Sequence, residues 1–114
     1  MNQSPVMSPA AIQKVIATQF PGLLGVDLLE VGPDRVVGRL PVRPELCTVG
    51  GILHGGAIMA FADTLGAVGT FLNQAPDRRT TMVWQTMIRR EDGRLCAIVS
   101  QTQLMMEPKA APAT

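Results

Sequence analysis

The sequence predicts an α+β fold in which an antiparallel sheet wraps around one apolar helix, and three features carry that expectation. Ala57 to Leu72 is apolar on every face, with Asp63 its one charge. A helix of that kind cannot rest on a surface and needs cover all round. Two pairs of β-patterned stretches flank it, 24–31 with 35–42 and 80–88 with 95–105, each pair joined by a turn. At 114 residues the chain suffices for one such unit and not two.

The elements follow in order. Ser8 is a hydroxyl N-cap and Pro9 suits the first helical position. Ile12, Val15, Ile16 and Phe20 then keep helical spacing through Ala10 to Phe20, and Pro21-Gly22 is expected to stop the helix. Leu24 to Val31 reads as a strand, Gly32-Pro33-Asp34 as its turn, and Arg35 to Val42 as the returning arm. Pro44 to Leu53 is loop-like, with Gly50-Gly51 near its end. The long helix runs from about Gly55 to about Leu72 and is closed by Asn73 to Asp77, which contains Pro76. Thr80 to Ile88 and Leu95 to Met105 pair across the turn Glu91-Asp92-Gly93. Residues 1–106 are expected to form the single domain, and the Pro/Ala-rich residues 107–114 a disordered tail.

Composition narrows the function classes. The chain is 46% hydrophobic with a formal net charge of +1, and it holds one Trp, three Phe and no Tyr. That balance speaks against nucleic-acid binding, which needs basic patches and stacking rings. Residues 57–72 fall short of the roughly 20 apolar residues of a bilayer span and carry Asp63 in their middle, so a buried core helix is the expectation. The first nine residues are polar and proline-containing, unlike a secretory signal. Cys47 and Cys96 read as two buried thiols in a reducing cytoplasm, which sets the expected location. The lone His54 argues against a metal site. A domain of this size also gains from burying further surface in an oligomer.

Chemistry concentrates where the loop Gly50-Gly51-Ile52-Leu53-His54-Gly55-Gly56 meets the helix. Glycines permit close backbone approach to a ligand. The first helical amides lack intrahelical partners and lie at the positive end of the dipole, where an oxyanion can be held. Neither a nucleotide phosphate loop nor a dinucleotide fingerprint is present. Asp63 stands about two turns into the helix, where a carboxylate must find a partner, reach water or take up a proton. It is a structural carboxylate or a functional one.

His54-Gly55-Gly56 followed by Ala62-Asp63-Thr64 resembles the signature of the PaaI-like hotdog thioesterases. The resemblance extends through Phe20-Pro21-Gly22-Leu23-Leu24-Gly25, Arg43-Pro44-Glu45-Leu46, Trp84-Gln85-Thr86 and Gln101-Thr102-Gln103-Leu104. It implies a hotdog fold and hydrolysis of small or medium acyl-CoA thioesters, without metal or redox cofactor, coenzyme A being part of the substrate. By the same resemblance Asp63 is the general base or nucleophile, and the Gly55 amide, with or without that of Gly56, is the oxyanion donor. His54 orients the loop or hydrogen-bonds the substrate carbonyl. Thr48 occupies a position where many relatives have Asn, and Thr81 is the candidate for a hydroxyl early in the strand after the helix. Arg78, Arg79, Arg89 and Arg90 are candidates for coenzyme A phosphates or simply solvated charges. The family builds its site across a homodimer or homotetramer interface, with the acid of one subunit facing the oxyanion loop of the other. No nucleic acid or membrane is implied. The chain departs from the family in its middle: four strands follow the helix in relatives, and here residues remain for two. The expected sheet is therefore truncated, and a degenerate form that binds acyl-CoA or oligomerises without turnover is the alternative.

Overall fold

The computed structural model describes residues 8–73 and 80–105. The expected tail at 107–114, most of the predicted 73–77 closure and the Arg78-Arg79 pair lie outside them.

Helix α1 spans Pro9–Ile16, with the Ser8 hydroxyl accepting the Ala11 amide at 3.1 Å as its N-cap. Pro21-Gly22 does not end this helix. It falls inside a second one, α2 (Phe20–Leu24), where proline in the first turn has no intrahelical amide to lose. Gly25 closes α2 in the left-handed conformation (φ 88°), and the Arg43 guanidinium donates to the carbonyls of Leu23 and Leu24 at 2.6 and 2.8 Å. Strand β1 (Asp27–Val31) pairs antiparallel with β2 (Val36–Arg39), with a bulge between Leu28 and Glu30. The Gln13 carboxamide of α1 clamps the outer edge of β1, donating to the Val26 carbonyl at 2.8 Å and accepting from the Leu28 amide at 2.7 Å.

The 44–53 segment is more ordered than a loop. A 3-10 turn (Pro44–Leu46) leads into β3 (Cys47–Thr48), which pairs with β4 (Ile52–Leu53) across a turn holding Gly50 and Gly51 at positive φ. Helix α3 runs Gly55–Leu72, the predicted limits. Asn73 ends it, its side-chain amide donating to the carbonyls of Gly69 and Pro33 and so tying the helix end to the β1–β2 turn. Strands β5 (Thr80–Arg89) and β6 (Leu95–Met105) form one long antiparallel hairpin.

The core lies between α3 and the N-terminal elements. Ile12, Leu24, Val26, Leu28 and Leu46 meet Ala57, Phe61, Leu65 and Val68 of α3. On the other flank β6 and β5 lie against α3. There the Trp84 indole packs so close to Gly69 that a Cβ would overlap the ring, and its N–H donates to the buried Thr70 hydroxyl at 2.8 Å. By length and composition α3 passes for a bilayer span, yet half of it is buried in this core.

Among the described residues the strands make three separate two-stranded pieces, β1–β2, β3–β4 and β5–β6, and no continuous sheet. The cover of α3 is accordingly incomplete. Met59, Asp63, Ala67 and Phe71, four residues apart and therefore on one face, are all exposed. The cysteine expectation is corrected as well: Cys47 is half-buried, and Cys96 is exposed on the outward face of β6, where alternation along the strand puts it.

Candidate active site

His54 caps α3 in extended conformation (φ −63°, ψ 138°). Its Nδ1 accepts the Gly56 amide at 2.7 Å, and its carbonyl accepts the amides of Ala57 and Ile58. An imidazole nitrogen that accepts carries no proton, so in the neutral ring the hydrogen sits on Nε2, which faces away as a donor. The Gly56 amide is thereby used, which removes it from the pair of expected oxyanion donors. The Gly55 amide is different. It precedes every intrahelical bond, no described residue accepts from it, and a Cβ built on Gly55 would stand in open space.

Asp63 is exposed and lines an open groove of about 530 Å³ with Met59, Ala60, Val99, Gln101, Gln103 and Leu104 among the lining residues. Gln103 Nε2 donates to its Oδ1 at 3.2 Å. Eight residues separate Asp63 from Gly55, about 12 Å along the helix at 1.5 Å per residue. A base or nucleophile and an oxyanion donor must both lie about 3 Å from the reacting atoms. Within one chain these two cannot share a carbonyl.

The remaining candidates fall elsewhere. Thr48 is exposed on β3 and lines a second open groove, about 440 Å³, with Val42, Arg43, Pro44, Cys47 and Gly51. Thr81 lies opposite Leu104 on the exposed face of β5–β6. Arg89 donates to the Gly93 carbonyl and Arg90 pairs with Asp92, both at the hairpin tip. Among the described residues no three His, Cys, Asp or Glu side chains gather as a metal-holding group. Gln101 and Gln103 are the residues at the groove that motif reasoning left without a role. The signal for them is alternation: two carboxamides two residues apart share the strand face that Val99 turns toward the helix.

Comparison with known proteins agrees with this architecture. No protein-family model matches the chain. It is 33% identical over 64 residues to a candidate esterase of Mycobacterium tuberculosis, covering 56% of this chain and 44% of that one. Against a candidate esterase of Deinococcus radiodurans it is 37% identical over 59 residues, 52% of this chain and 36% of the other. The chain thus spans less than half the length of these relatives. A candidate esterase of Haemophilus influenzae is 28% identical over 105 residues, 76% of its length, but only 66% of this chain takes part. Since 66% of 114 residues is about 75, about 30 positions of that relative face a gap here. In three dimensions the chain is similar to the crystal structure of a Haemophilus influenzae thioesterase, with a TM-score of 0.76 at 21% identity over 88% of this chain and 90% of the other. The fold is the hotdog fold, with its sheet cut short.

Proposed function

We propose that the chain is a thioesterase of the PaaI-like kind that hydrolyses small or medium acyl-CoA thioesters, as a homodimer or homotetramer in the cytoplasm. Asp63 acts as general base or nucleophile, and the Gly55 amide holds the oxyanion. His54 keeps the loop in place through Nδ1 and turns its Nε2–H toward the substrate carbonyl. The observation that carries this reading is the open Gly55 amide at the start of the same helix that presents Asp63 to a groove. The separation of about 12 Å along the helix calls for two chains, the acid of one meeting the amide of the other. Asp63 lies in the middle of the uncovered stripe of α3, so a partner seated on that stripe would meet the carboxylate. The relatives that are candidate esterases, and the thioesterase of like fold, support the reaction class.

The three unjoined strand pairs favour one rival, a degenerate hotdog that binds acyl-CoA or oligomerises without turnover. Thiol release from a panel of acyl-CoAs by the natural chain and by Asp63→Asn decides between them. A fall of hydrolysis to a small residual rate in Asp63→Asn supports the proposal, and equal rates in both remove Asp63 from the chemistry. Saturable acyl-CoA binding with no thiol release establishes the rival.

A further inference from the structure

Two carboxamides on β6 reach the helix turn that carries Asp63. Gln101 Nε2 donates to the Ala62 carbonyl at 2.8 Å. A carbonyl can only accept, so this contact decides which end of the Gln101 carboxamide faces the helix. Its Oε1 is then left for Gln103, whose Nε2 donates to it at 2.9 Å. The other hydrogen on Gln103 Nε2 serves Asp63 Oδ1 at 3.2 Å. Both hydrogens of that nitrogen are committed, and each link orients the next.

Gly66 makes the relay possible, because a Cβ there would overlap the Gln101 carboxamide. The turn is consequently held twice, by Gln101 at the backbone of Ala62 and by Gln103 at the side chain of Asp63. Asp63 lines the groove, and its Oδ2 receives no hydrogen bond from the described residues.

We propose that Gln103 is a positioning residue for Asp63, supported by Gln101 and Gly66. The inference rests on the role given to Asp63 above. An exposed carboxylate turns freely about two side-chain bonds, and the donated amide selects the orientation that leaves one oxygen for the substrate or its water. A misplacement of about 1 Å in such a group costs up to about 100-fold in rate.

Gln103→Met keeps the length of the side chain and removes the donor. In steady-state thiol release kcat should fall about 10- to 100-fold with KM within about twofold. On the Asp63→Asn background the same change should alter the residual rate by less than about twofold, whereas a merely structural residue would lower both backgrounds alike. Gly66→Ala displaces Gln101 without touching Gln103 or Asp63 and favours the helix, so kcat should fall with the melting temperature retained. Wild-type kcat in Gln103→Met, or an equal loss on both backgrounds, overturns the inference and leaves the role of Asp63 standing. Full activity in Asp63→Asn, or no thiol release from the natural chain, overturns the underlying reading and the inference with it.

Discussion

The two nitrogens of His54 have separable duties. Nδ1 is an N-cap acceptor for Gly56, and Nε2 is the donor assigned to the substrate. Asn at this position can also cap, so His54→Asn should hold stability within about 0.5 kcal/mol, while His54→Ala should cost about 1 kcal/mol. Ala has no donor and the shorter Asn carboxamide cannot place its NH2 where Nε2–H stands, so kcat should fall about 100-fold in each; thermal melts beside steady-state kinetics separate the two effects. Gly55 permits a cleaner substitution. It is the first helical position, His54 before it already has the extended conformation that a following proline requires, and a Cβ there would stand in open space. Gly55→Pro should therefore delete the amide proposed to hold the oxyanion, abolish thiol release and leave the melting temperature unchanged or raised. At this scale the spacing of His54, Gly55 and Asp63 was legible in the sequence. The capture of the Gly56 amide by His54 was not, because it depends on a ring rotamer and tautomer. The Gln103 contact was equally hidden, since it joins residues 40 apart in the chain through strand packing.

Among the elements, α3 and the β5–β6 hairpin were legible almost to the residue, because long apolar and alternating patterns outweigh local ambiguity. The short helix α2 was not. Its Pro-Gly pair signals a stop in isolation, and the helix exists because Gly25 and the Arg43 guanidinium, arriving from 18 residues further on, satisfy its last carbonyls. Trp84 is the anchor that β5 contributes to α3, beside Gln101 and Gln103 of β6. Trp84→Phe keeps much of the ring and loses the bond to Thr70, and should cost about 1 kcal/mol in urea unfolding. Gly69→Ala drives a methyl into the indole and should cost about 1–3 kcal/mol.

At the scale of the molecule, what is missing shapes what remains. About 30 positions of the Haemophilus relative have no counterpart, and the strands stand as three separate pairs around a helix with an uncovered stripe. The shortage of strands was legible from a count of residues after the helix. Where the remaining pairs would sit was not, since strand neighbours in a hotdog come from distant parts of the chain. The stripe of Met59, Ala67 and Phe71 around Asp63 is the surface on which the account seats a second copy. Phe71→Glu should shift the native mass toward the monomer and lower thiol release in proportion.

The shared site is tested most directly by mixing two proteins each reduced to at most a residual rate, Asp63→Asn and Gly55→Pro, after mild dissociation and reassociation. If acid and amide come from different chains, each mixed pair regains one intact site. Random pairing then restores about a quarter of the wild-type rate of acyl-CoA hydrolysis at equal total protein. No recovery in a mixture whose mass shows that hybrids have formed would contradict the two-chain site.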